Sequence, residues 1–119
     1  MKRDVPGLDM KKALDLYDDD FGIFLAVLRS YVSRTPAALD KLRNVTAETL
    51  QDYAVTVHGV KGTSTAIGAE EIRKEALALE EMARTGNLSG VLENNKAFLK
   101  QADALVGGIK EWLKENDKS

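Results

Sequence analysis

Apolar side chains in this chain recur at intervals of three and four residues from Phe21 almost to the C-terminus, and nowhere do they alternate with polar ones as a half-buried strand requires. That pattern admits helices and little else. Phe21, Phe24, Leu25, Leu28, Tyr31 and Val32 form one stripe, and Leu39 and Leu42 resume it beyond Pro36. Proline removes a helix hydrogen bond, so a kink or short break is expected near Arg34. Asn44 or Thr46 is placed to cap a third helix running from about Ala47 to Ile67, which Gly68 stops. A fourth helix presents Ala69, Ile72, Ala76, Leu79 and Ala83, and Gly86 stands where a left-handed C-cap belongs. The last helix carries a long apolar face that includes Val91, Leu92, Phe98, Leu105 and Trp112, weakened locally by Gly107 and Gly108.

Upstream of these, Asp9 can cap a short first helix through the N–H groups of Lys11 and Lys12. Leu8, Ala13, Leu16 and Tyr17 would then close one end of the core. The run Asp18-Asp19-Asp20 ends that helix and favours the positive end of the next. The reading is an all-α fold: an antiparallel up-down four-helix bundle with an additional short N-terminal helix. The 119 residues make one domain, with a core over about residues 8–115 and flexible ends.

Composition narrows the function. With 44% apolar and 30% charged residues the chain reads as globular, and its net charge of −2 gives it no basic surface for nucleic acid. No apolar run is long enough to cross a bilayer, and Met1 to Gly7 lack the apolar core of a signal peptide. Cysteine is absent, which excludes thiolate metal sites and a cysteine nucleophile. A cytoplasmic monomer with no membrane insertion is the expectation.

The chemistry concentrates in one stretch, His58-Gly59-Val60-Lys61-Gly62-Thr63-Ser64, which ends at Gly68-Ala69. On a helical wheel Leu50, Tyr53, Val57, Val60, Ser64 and Ile67 share one arc, and His58 lies roughly 100° from its centre, at the solvent edge. Gly59 and Gly62 beside it together cost a helix roughly 2 kcal/mol relative to alanine. A helix that must let another protein reach an imidazole has reason to carry them. Lys61 lies one turn from His58, where its ammonium can partly neutralise a group attached to the ring. Val55 and Thr65 complete the candidate docking positions.

This combination resembles the histidine phosphotransfer (HPt) domains of two-component phosphorelays, whose signature reads His, any residue, an aliphatic residue, Lys, Gly, small residues, then Gly-Ala. Here these are His58, Gly59, Val60, Lys61, Gly62 and Gly68-Ala69. The likeness extends through Ile72, Ala76, Leu79-Glu80, Ala83 and Thr85-Gly86-Asn87, and upstream to Gly7-Leu8-Asp9. Val60 stands where leucine is commoner, and Gly59 where a polar residue is.

The resemblance implies a phosphorelay intermediate. His58 would accept a phosphoryl group from a receiver-domain phosphoaspartate and pass it to another receiver. The chain would be a phosphocarrier without autonomous catalytic activity, and Nε2 the expected acceptor atom. Its partners would be receiver domains of response regulators or hybrid sensor kinases. It would need no metal or cofactor of its own, the Mg²⁺ residing on the receiver. Two related readings stand beside it: direct phosphorylation by a chemotaxis-type histidine kinase, and a helical adaptor that does not use the histidine. A di-iron bundle is disfavoured because position 55 is Val and the chain holds one histidine. Glu70-Glu71 reads as a favourable first helical turn. Arg73-Lys74 and Glu80-Glu81 read as a solvated face, and Trp112 as core.

Overall fold

The computed structural model describes residues 4–117, so the outermost parts of the ends expected to be flexible, residues 1–3 and 118–119, lie outside the described residues. Five helices follow one another: α1 (Met10–Asp15), α2 (Phe21–Lys41), α3 (Leu50–Ala66), α4 (Glu70–Arg84) and α5 (Leu88–Asn116). α2 to α5 form the bundle: α3 packs between α2 and α4, and α5 closes the ring against α4 and α2. The α3–α4 interface is the most extensive. At 1.5 Å per residue, α5 alone accounts for most of the 46 Å long axis.

Every residue of the α3 stripe is buried, as are Phe24, Leu28 and Leu39 of α2 and Phe98, Ile109 and Trp112 of α5. Each buried side chain of this size contributes about 1.5–3 kcal/mol. Val5 joins them, so the core begins before residue 8. Two expected core members do not. Leu16 and Leu92 are more than half exposed.

The helix boundaries differ from expectation in two places. α2 runs unbroken through Pro36. The burial of Tyr31, Thr35 and Leu39 on either side of the proline keeps the helix continuous at the expense of one hydrogen bond. α3 begins at Leu50 rather than near Ala47, because Thr46 and Thr49 cap each other instead. Thr46 N–H donates to Thr49 Oγ1 at 2.8 Å, and Thr49 N–H donates to Thr46 Oγ1 at 3.3 Å, which closes a turn over residues 46–49. Asp9 and Asp20 cap as expected, accepting from Lys12 N–H and Ile23 N–H at 3.1 Å each.

Gly68 joins three elements. Its φ of +76° turns the chain from α3 into α4, and its carbonyl accepts Asp9 N–H at 2.8 Å, which ties α1 to that turn. A Cβ here would meet the Asp9 carbonyl oxygen at 2.5 Å. Gly68→Ala is expected to destabilise by about 2–4 kcal/mol, combining left-handed strain with overpacking. Gly86 has a similar φ of +78° but open space around it, so Gly86→Ala is expected to cost about 1 kcal/mol. Urea midpoints of the two variants check the difference.

α1 is held a second time by Lys12, whose Nζ lies 2.5 Å from Glu70 Oε1, while Arg73 Nε donates to Glu70 Oε2 at 2.7 Å. The bonds from Lys12 and Arg73 hold the Glu70 carboxyl down at about 2. A depressed carboxyl stabilises the fold fully above its ordinary range and loses that contribution as the pH falls towards 2. An NMR titration of Glu70 is expected to show that acidic midpoint, and Lys12→Ala to raise it.

Candidate functional site

The rotation of α3 about its axis is set by two hydroxyl contacts that bracket His58. Tyr53 Oη donates to Asn95 Oδ1 on α5 at 2.7 Å, and Asn95 Nδ2 donates to the Leu42 carbonyl at 2.8 Å. Six residues beyond His58, Ser64 Oγ lies 3.0 Å from Tyr31 Oη on α2. Burial raises both phenols above their ordinary range, so they remain neutral hydroxyls. With α3 pinned on this side, His58 must emerge on the other, along the seam with α4. Its side chain is 57% exposed.

Across the seam stands Glu80. His58 Nδ1 lies 2.7 Å from Glu80 Oε2, Lys61 Nζ lies 2.6 Å from Oε1, and Arg84 Nη2 lies 2.6 Å from Oε2. The Glu80 side chain is only 5% exposed. Burial works against its charge, but the hydrogen bonds from Lys61 and His58 outweigh that and hold its carboxyl below the ordinary range. An ionised carboxylate can only accept, so the imidazole must donate from Nδ1, which leaves Nε2 unprotonated in the neutral ring.

The solvated face expected for Glu80 is therefore incorrect for this residue, although Glu81 is exposed. Helical phase carried the signal. Glu80 falls four residues after buried Ala76 and three before buried Ala83, inside the apolar stripe of α4. The alanines leave room there for a carboxylate to reach across. Arg84 is a site residue that the sequence did not single out.

The residues that the sequence did single out gather around the imidazole. Nothing lies within 4 Å of where a Cβ would stand at Gly59 or Gly62, so the imidazole is approached over bare backbone. Lys61 is close by but engaged, with its ammonium on Glu80 and not free beside the ring. Thr65 is exposed and its Oγ1 donates to the Lys61 carbonyl at 2.9 Å. Val55, one turn before His58, is 73% exposed. A shallow concavity beside Lys61 is lined by Leu16, Thr65, Arg73 and Leu77, of which the two leucines are exposed apolar side chains. The misplaced Leu16 thus belongs to the surface near the site.

Chemically, the arrangement is a mostly exposed imidazole with Nε2 left unprotonated in the neutral ring, a buried carboxylate that orients it, a nearby ammonium, and surroundings stripped of bulk. The imidazole is open to solvent and not enclosed as it would be for a small substrate. Such a nitrogen suits chemistry delivered by another macromolecule. Neither curated proteins nor solved structures returned a match to the chain. The family model described as the Hpt domain matches residues 24–112, which span α2 from its first turn, all of α3 and α4, and α5 as far as Trp112. The chain therefore belongs to the Hpt domain family, whose members carry phosphoryl groups in two-component signal transduction.

Proposed function

We propose that this domain is a phosphorelay intermediate: His58 takes a phosphoryl group from the phosphoaspartate of one receiver domain and gives it to a second. The observation that carries the reading is the Nδ1–Glu80 hydrogen bond at 2.7 Å, which supports Nε2 as the nucleophile. In the step, the Nε2 lone pair forms the N–P bond while the P–O bond to the aspartyl carboxylate breaks, and that carboxylate leaves with the electron pair. The proton stays on Nδ1 throughout. The ring gains positive character as the bond forms, and the Glu80 carboxylate facing Nδ1 stabilises it, as a buried carboxylate does for any imidazolium.

The chain's own contribution is position and access. No metal or cofactor of its own enters this reading; the Mg²⁺ that neutralises phosphoryl charge belongs to the receiver. Exposed Val55, Leu16 and Leu77 offer apolar contact to the docking receiver. We take the domain to work as a cytoplasmic monomer and not as an enzyme in its own right. No helix among the described residues is long and apolar enough to cross a membrane.

The decisive experiment mixes the domain with a labelled phospho-receiver and, separately, with a histidine-kinase catalytic domain and ATP. Rapid label transfer from the receiver supports the relay reading. Transfer from the kinase alone would replace it with the chemotaxis-type arrangement. Gly62→Gln tests access. Its side chain enters open space, so the helix is expected to gain about 0.5–1 kcal/mol in stability while receiver transfer slows at least tenfold. Wild-type transfer rates in that variant would refute the access argument.

A further inference from the structure

The carboxylate of Glu80 holds one more cation than the acceptor chemistry of His58 calls for. Arg84 lies one turn along α4, with Nη2 2.6 Å from Oε2, the oxygen that also faces His58 Nδ1. Lys61 occupies Oε1. The Arg84 side chain is 59% exposed, and an arginine so placed contributes little packing. An exposed ion pair is ordinarily weak, but here the partner is a buried carboxylate, and the number of cations on it sets how firmly each is held.

Lys61 faces two competing anions once His58 is phosphorylated. Its ammonium rests on Glu80, yet it stands one turn from His58 on the same helix, where it can turn to a phosphoryl oxygen on Nε2. Leaving Glu80 is easier when a second cation stays behind, because the remaining guanidinium cancels part of the carboxylate's attraction for the ammonium. Without that guanidinium, Lys61 is the sole ammonium or guanidinium partner, among the described residues, of a carboxylate that is 5% exposed, and it stays there.

We propose that Arg84 is a positioning residue that releases Lys61: it keeps Glu80 paired and oriented on Nδ1 while the Lys61 ammonium moves to the phosphoryl group. This rests on His58 being the phosphoacceptor. Arg84 touches neither the imidazole nor the phosphoryl group in this scheme and acts only through Glu80 and Lys61.

The test is a double-mutant cycle on chemically loaded protein. Phosphoramidate, a small phosphoryl donor, loads His58 without any receiver, and the decay of the phosphohistidine ³¹P resonance gives the half-life. In the wild-type background Lys61→Ala is expected to shorten that half-life roughly three- to tenfold, the range for one charge-assisted hydrogen bond in a partly exposed site. In the Arg84→Gln background the same substitution is expected to change it less than about twofold, because Lys61 no longer reaches the phosphoryl group. Arg84→Lys, which keeps the charge, is expected to restore the full Lys61 effect. A merely structural arginine would leave the Lys61 effect equal in both backgrounds, and that result overturns the proposal. So does an Arg84→Lys variant that behaves like Arg84→Gln, or a wild-type half-life indifferent to Lys61. Failure of a phospho-receiver to label His58 would sink the relay reading instead, and is scored separately.

Discussion

The His58→Gln protein is expected to fold as the wild type does and to accept no phosphoryl group, with transfer from a phospho-receiver reduced by at least three orders of magnitude. Folding should survive because the side chain is mostly exposed, glutamine favours helix slightly more than histidine, and the glutamine amide can still donate to Glu80. A stability change within about 0.5 kcal/mol is the expectation. Transfer should vanish because an amide nitrogen has no available lone pair, and the chain holds no second histidine to take over. The label on the wild type should be acid-labile and base-stable, as a phosphoramidate is. Label retained by His58→Gln would remove His58 from the mechanism.

Glu80→Gln should separate chemistry from stability. The isosteric amide removes the charge facing Nδ1 and frees the ring to rotate or change tautomer. Losing one charge-assisted hydrogen bond of about 1.5–3 kcal/mol predicts transfer slower by roughly ten- to a hundredfold. Stability should change by about 1 kcal/mol or less, since Lys61 and Arg84 are partly exposed and can turn their charges to solvent. Glu80→Leu sharpens the contrast. A buried carboxylate replaced by a well-packed apolar side chain is often neutral or stabilising, so this variant should melt at or above the wild-type temperature and transfer poorly. Single-turnover transfer measured beside thermal denaturation checks both. A wild-type rate in Glu80→Gln would mean that the imidazole needs no orienting partner.

Residue by residue, the sequence was most informative where the physics is local. Three- and four-residue spacing alone identified the buried arc of α3 and the exposed edge that carries His58, because helical phase is a property of one segment. Asp9, Asp20, Gly68 and Gly86 were legible for the same reason, since a cap or a left-handed turn involves only near neighbours. Errors arose where distant residues decide. Pro36 suggested a break from local chemistry, but the packed residues around it keep α2 continuous. Leu92 lies beside the core face in phase and opens instead onto a surface groove with Asn95, Lys96 and Leu99.

The histidine, its glycines and its lysine could be found from spacing, which needs one helix and its wheel. The pairing of that histidine with a carboxylate 22 residues away could not, because it exists only when α3 and α4 lie side by side. Glu80 sat in view as an acidic residue inside an apolar stripe, a local conflict with no local explanation. The tertiary structure supplied the explanation: alanines at 76 and 83 bracket the carboxylate on α4, and three donors from two helices meet it at the seam. Helix phase determines which side chain faces out. Only the packing of two helices decides which of its nitrogens is left free.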